Sequence, residues 1–176
     1  MDNISLKDML KEALAMEEKG FGFYNDIVGK VENDITKKMF EFLAKNELLH
    51  IESIKSFYTS LAKNGDLPEL NLDELMAGRK NDLSIFARNI SELKDKIKKS
   101  DADKEACEFA IDFENSGYRY YKNMRKDAKD EKLVKLLDFL LEEEKAHCDS
   151  ITKLHTYITD SANWYMYEEE SFPQGG

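Results

Sequence analysis

AIDFENSGYRYY, residues 110–121, has apolar residues at helical spacing but carries a glutamate within its apolar stripe. Ala110, Tyr118 and Tyr121 lie on one face of a helix with this period. Glu114 falls on the same face, where another apolar side chain is expected. A carboxylate on the core face of a helix is unfavourable unless something compensates its charge. The stretch therefore predicts a helix and, within it, a buried polar position.

The same pattern occurs 97 residues earlier, in ALAMEEKGFGFY at residues 13–24, and FLAKNELLH (42–50) matches FLLEEEKAH (139–147) at the same shift. Residues 13–61 align with 110–158 without a gap, and 12 of the 49 positions are identical. The identical pairs include Glu17 with Glu114, Gly20 with Gly117, Tyr24 with Tyr121, Glu47 with Glu144, and His50 with His147. The chain thus contains two copies of one unit, each with a Glu on its first helix and Glu-x-x-His on its second.

The apolar spacing predicts four long helices, at about residues 6–31, 35–63, 101–128 and from about 132 to 158. Short connections make two antiparallel hairpins of them, about 5–63 and 100–159. The joining segment, 64–99, is long enough to travel the length of a bundle, and its second half has an amphipathic helical pattern. The predicted architecture is all-α: a four-helix bundle over residues 1–160, followed by an aromatic and acidic tail at 161–176.

Composition and charge exclude several classes of partner. The 176 residues carry a net charge of −10, which argues against binding to nucleic acid or an anionic membrane. No apolar run is long enough to cross a bilayer, and the first residues lack the apolar stretch of a signal peptide. Cys107 and Cys148 lie in helical contexts without CxxC spacing, so we expect reduced thiols and a cytoplasmic protein.

The spacing also predicts where the repeated polar residues lie. Residues three apart share a helix face, so each Glu-x-x-His motif points its two side chains together. Glu17 and Glu47 each lie about 15 residues from the first turn, at about the same height along the hairpin. The same count makes Glu114 level with Glu144. Four carboxylates and two imidazoles in a bundle core need compensating charge, and a pair of divalent cations would supply it. Carboxylate-rich sites with single His ligands suit iron or manganese.

These residues resemble the ligand pattern of ferritin-like di-iron carboxylate proteins, over about residues 5–160. The local sequences ALAMEEKGFGFY and FEFLAKNELLHIE are most similar to those of the rubrerythrin branch. The resemblance implies a ferritin-like bundle that binds two iron ions, or manganese or a mixed metal pair. It implies that Glu47 and Glu144 bridge the metals and that Glu17 and Glu114 bind terminally. The metal ligands would be Glu17, Glu47, His50, Glu114, Glu144 and His147.

The sequence departs from rubrerythrins proper in two places. They usually carry a rubredoxin-like centre with four cysteines, whereas this chain has two cysteines, so electrons are expected from a separate donor such as a rubredoxin-type protein. Rubrerythrins also have a further Glu three residues after the third-helix ligand, and this position is Gly117.

The repeated glycines and tyrosines each have two interpretations. Gly20 and Gly117 indicate either close helix packing or open space beside the metals, and Tyr24 and Tyr121 either pack in the core or donate hydrogen bonds to ligating carboxylates. Three acidic neighbours of the ligands are expected on solvated faces: Glu18, Glu143 and Asp149.

The expected function is that of a non-haem di-iron oxidoreductase that reduces peroxide or dioxygen with external electrons. One alternative is a ferroxidase that stores or delivers iron. Another is a helical bundle with a non-catalytic metal site or without metal. A homodimer is a candidate assembly. The size of the protein would discriminate between these functions, because a monomer or dimer excludes the hollow shell that iron storage requires.

Overall fold

The computed structural model describes residues 5–71 and 101–160 of the chain. Within these ranges it contains four α-helices: α1 (Leu6–Val28), α2 (Asp34–Asn64), α3 (Asp101–Asp127) and α4 (Glu131–Thr159). They form an all-α, ferritin-like four-helix bundle, which confirms the predicted fold class. The predicted amphipathic helix in the second half of 64–99 and the tail at 161–176 lie outside the described residues.

Side chains at the helix ends explain where the helices begin and stop. Ser5 and Asn33 cap α1 and α2 by accepting hydrogen bonds from the backbone amides of Asp8 and Ile35. Asp130 caps α4 in the same way. Gly65 ends α2 in the left-handed conformation, with φ of 71°, which glycine adopts without a steric penalty. These signals place the boundaries within a few residues of those predicted.

The two hairpins are joined to each other at both ends of the bundle. At one end Asp103, fully buried at the start of α3, accepts hydrogen bonds from the backbone amides of Glu32 and Asn33 in the α1–α2 turn. At the other end Lys132, at the start of α4, donates to the carbonyl of Leu67 and to Asp66, just beyond α2. The end of α2 and the beginning of α3 therefore lie at opposite ends of the bundle.

The core consists of two apolar clusters with a polar layer between them. The upper cluster surrounds the α1–α2 turn and includes Phe40, Leu43 and Ile151. The lower cluster surrounds the α3–α4 turn and includes Leu10, Phe57 and Leu140. The helix segments between these clusters carry the repeated glutamates and histidines. Apolar packing on both sides fixes this layer and keeps bulk water away from it.

Candidate metal centre

All six predicted ligands lie in the polar layer and are buried. Each has an exposed fraction of 3% or less. Their side chains converge from all four helices: α1 and α3 supply one glutamate each, while α2 and α4 each supply a glutamate and a histidine one turn apart. The equal heights inferred from residue counts therefore correspond to real proximity in the fold.

The first group of side chains that could hold a cation combines both hairpins. Its members are Glu17, His50 and Glu144, whose ligand atoms all lie within 4.8 Å of one another. His50 Nδ1 is 3.0 Å from Glu17 Oε2 and 3.8 Å from Glu144 Oε1. Glu17 and His50 come from the first hairpin, whereas Glu144 crosses from the second. A cation at this position would thus connect the two halves of the chain.

The second group is the image of the first under the 97-residue repeat. It consists of Glu114, His147 and Glu47, again with ligand atoms within 4.8 Å. His147 Nδ1 is 3.3 Å from Glu114 Oε2, and the third member, Glu47, crosses from the first hairpin. The imidazole rings of the two groups stack at 5.4 Å between centroids. Two adjacent positions related by the repeat are the arrangement expected of a dinuclear site.

The two repeated tyrosines reach carboxylates of the opposite hairpin. Tyr24 on α1 donates its hydroxyl hydrogen bond to Glu114 Oε1, and Tyr121 on α3 donates to Glu17 Oε1. Both rings are also fully buried and pack in the apolar clusters. The two tyrosines therefore fill the core and also hydrogen-bond to the glutamates that lie on α1 and α3.

Neighbouring charges divide the four glutamates into two kinds. Burial, reinforced by the nearby carboxylates, raises the pKa of Glu47 and of Glu144 well above 4.5. Burial acts in the same direction on Glu17, but hydrogen bonds from Glu47, His50 and Tyr121 together with the charge of His50 lower its pKa to about 2. The pKa of Glu114 is lowered by His147, Glu144 and Tyr24 in the corresponding way. Without metal, then, these surroundings favour the ionised form of Glu17 and Glu114 and the protonated form of Glu47 and Glu144.

The same carboxylates act on His50. Burial alone would lower its pKa, but the nearby carboxylates of Glu17 and Glu143 raise it to about 9. The imidazole is therefore protonated at neutral pH in the metal-free protein. It supplies part of the positive charge that the buried carboxylates require.

The donor set fits a pair of divalent cations. The acidic cluster is not fully satisfied by hydrogen bonds, because Glu47 Oε2 is buried without a hydrogen-bond partner. Such an oxygen would normally be paired, and a metal ion would satisfy it. Two groups with two carboxylates and one imidazole each match the hard oxygen and nitrogen ligands that iron and manganese accept.

Close packing, rather than open space, is found beside both repeated glycines. A Cβ atom on Gly117 would lie 2.7 Å from Glu144 Oε2, and one on Gly20 would lie 2.7 Å from a ring carbon of Phe113 and 3.2 Å from Glu47 Cδ. Each glycine therefore leaves room for a carboxylate of the site. At position 117 a longer side chain, such as the further glutamate of rubrerythrins proper, would require Glu144 to move.

Sequence reasoning missed two residues of this centre. Glu143, expected on a solvated face, is only 13% exposed and its Oε2 lies 3.9 Å from His50 Nε2. Asn46, not considered from the sequence, is buried, with its Nδ2 3.1 Å from His147 Nε2. Both precede the glutamate of a Glu-x-x-His motif and correspond under the repeat, which is the signal that could have identified them. Glu18 and Asp149 are exposed, as expected.

The four described helices, with one glutamate each on α1 and α3 and Glu-x-x-His on α2 and α4, have the arrangement of ferritin-like carboxylate proteins. The family model Rubrerythrin matches residues 8–155. The chain belongs to the rubrerythrin family.

Further comparisons support the fold alone. The structure is similar to that of a hypothetical protein, Pfu-1136390-001, from Pyrococcus furiosus, with a TM-score of 0.66 and 16% sequence identity over 92% of this chain and 94% of that one. No curated protein matches the sequence significantly. Among the described helices, none combines the length and apolar character required to cross a membrane.

Proposed function

We propose that this protein is a non-haem di-iron oxidoreductase that reduces peroxide or dioxygen with electrons from a separate protein. The observation that carries the proposal is the pair of buried groups, Glu17–His50–Glu144 and Glu114–His147–Glu47, related by the internal repeat. Family membership supports iron as the metal, although manganese would satisfy the same donors. When bound, the metal pair would supply redox electrons and Lewis acidity for cleavage of an oxygen–oxygen bond.

The chain itself would contribute binding, orientation and protons. Two glutamates, Glu17 and Glu114, are held in place by tyrosine hydroxyls, so their orientation is set before a cation enters. The other two, Glu47 and Glu144, carry protons in the metal-free protein and would release them as cations bind. Apolar clusters above and below exclude bulk water, which strengthens electrostatic interactions within the layer.

A separate electron donor is proposed because the two cysteines of the sequence are too few for the four-cysteine centre of a rubredoxin. We propose a rubredoxin-type protein as the donor and the cytoplasm, where thiols remain reduced, as the location. A homodimer is the proposed assembly.

The test is stopped-flow mixing of the anaerobic Fe²⁺-loaded protein with H₂O₂ and, separately, with O₂. The proposal predicts that one of these oxidants oxidises two irons per chain rapidly and that a reduced rubredoxin returns them to Fe²⁺ over repeated cycles. Glu18→Ala, an exposed neighbour of Glu17, is the matched control and should behave like the unmodified protein.

Two outcomes would contradict the proposal. Oxidation at the rate of free Fe²⁺ with both oxidants would leave only a non-catalytic metal site. Fast oxidation by O₂ accompanied by retention of many irons per chain, in an assembly larger than a dimer by gel filtration, would instead indicate a ferroxidase that stores iron.

A further inference from the structure

The two halves of the metal centre differ at one pair of equivalent positions. Asn46 and Glu143 correspond under the 97-residue shift, yet one is an amide and the other a carboxylate. Asn46 faces His147 of the opposite hairpin, and Glu143 faces His50 while its carboxylate also lies within 4.8 Å of a ring nitrogen of His147. Asn46 Nδ2 lies 3.1 Å from His147 Nε2, and Glu143 Oε2 lies 3.9 Å from His50 Nε2. The ligands, the tyrosines and the glycines, by contrast, are identical in the two halves.

The histidines present their Nδ1 atoms to the carboxylates of the site. His50 Nδ1 is 3.0 Å from Glu17 and His147 Nδ1 is 3.3 Å from Glu114, so a cation in either group would bind Nδ1. The outer nitrogen, Nε2, then carries the ring proton and needs an acceptor. His50 Nε2 is buried without a hydrogen bond, and Glu143 can provide a charged acceptor. His147 Nε2 has the neutral amide of Asn46, whose Nδ2 faces it in the metal-free structure and which would turn over to present its oxygen to a ring N–H.

We propose that Glu143 and Asn46 make the two metal positions unequal, so that the position of His50 binds a divalent cation more tightly than that of His147. The inference rests on the proposed dinuclear site. A ring N–H donated to a carboxylate makes the opposite ring nitrogen a stronger ligand. A carboxylate also adds a negative charge close to the cation, whereas an amide adds none. Glu143 and Asn46 are thus positioning residues that act through the histidines.

The test is calorimetric titration of the metal-free protein with Co²⁺, with visible absorption to count the bound ions. The unmodified protein should bind two ions in two resolved steps. Glu143→Gln should weaken the tighter step about tenfold and change the weaker one much less, because Glu143 faces His50 Nε2. Asn46→Asp, which gives the second half its own carboxylate, should tighten the weaker step by a similar factor and leave the tighter one unchanged.

The decisive result is that each substitution changes one binding step more than the other. Two resolved steps alone would not suffice, because repulsion between two neighbouring cations would separate the steps even in a symmetric site. Thermal unfolding of the metal-free variants monitors any purely structural effect, which would alter both steps together. The inference is overturned if Glu143→Gln changes both steps equally or neither. It is also overturned if three ions bind per chain and the third is lost in Glu143→Gln, because Glu143 would then be a ligand. Failure of the unmodified protein to bind Co²⁺ at all would instead contradict the proposed dinuclear site.

Discussion

At the scale of single residues, the central feature is a set of buried polar side chains. Each would be unfavourable in the core alone, but together they supply one another with partners. Glu114 alone on a core face would demand a partner. In the fold it has Tyr24 at one oxygen and His147 at the other. Gly117, one turn further along α3, provides the space in which Glu144 lies. A larger residue at position 117 would displace the carboxylate of Glu144.

Gly117→Ala tests this role. The added Cβ would lie 2.7 Å from Glu144 Oε2, so the carboxylate must shift. Since the oxygen is at the end of a flexible side chain, we expect little change in the thermal stability of the metal-free protein. Metal affinity should fall about tenfold, because a ligand is displaced. Calorimetric metal titration measures the effect.

Gly22→Ala is the matched control in α1. A Cβ at position 22 meets nothing within 4 Å, so the substitution should stabilise the helix by about 0.5–1 kcal/mol and leave metal affinity unchanged. Equal metal affinities of the Gly117→Ala variant and the unmodified protein would contradict the role assigned to Gly117.

At the scale of the elements, all four described helices could be predicted from the sequence, and the main difference is the end of the first helix. The apolar pattern of the first helix continues to Val31, but α1 ends at Val28. Val31 is buried in the upper cluster although it lies in the turn, so it extends the apolar pattern without extending the helix.

The candidate site was predictable to the extent that it depends on helical rise. A fixed rise per residue places Glu17 level with Glu47, whatever the details of packing. The contacts of Glu143 and Asn46 depend on how one hairpin is rotated against the other. Helical periodicity does not determine that rotation, so these two residues were missed.

Asp103 provides the prediction at this scale, because it holds the beginning of α3 against the α1–α2 turn. Asp103→Ala would leave the buried amides of Glu32 and Asn33 without their acceptor, and should lower the free energy of unfolding by about 1–3 kcal/mol. Asp101→Ala removes an exposed acid from the same helical turn and should change stability by less than about 0.5 kcal/mol. Chemical denaturation compares the two, and equal effects would show that Asp103 does not join the hairpins.

At the scale of the whole molecule, the bundle places a layer of ionisable groups between two apolar clusters. The folded metal-free chain binds protons on Glu47, Glu144 and His50 more tightly than the unfolded chain does, because the pKa values of all three groups are raised. The free energy of unfolding therefore depends on the pH and on whether metal is bound. Divalent cations replace those protons, so binding should release protons and become tighter as the pH rises.

The stability of the metal-free protein should consequently fall as the pH rises. The pKa of His50 is raised from 6.5 to about 9, so its stabilising contribution is lost between about pH 6.5 and 9. The pKa values of Glu47 and Glu144 are raised well above 4.5, so their contributions are lost as the pH rises from about 4.5. The lowered pKa values of Glu17 and Glu114 act oppositely, but only below about pH 4.5. Melting temperatures in a chelator should decrease from pH 5 to 9, and saturating metal should abolish the decrease. A constant or increasing melting temperature in the chelator would contradict the assigned protonation states.

The most direct test of the central claim is an anaerobic Fe²⁺ titration of the metal-free protein. The claim is that six buried side chains from two repeated hairpins hold two metal ions. It predicts binding of two Fe²⁺ per chain, reduced to one or none in Glu114→Ala and unchanged in Glu18→Ala. Absence of Fe²⁺ binding in the unmodified protein, or two ions bound with unchanged affinity in Glu114→Ala, would contradict it.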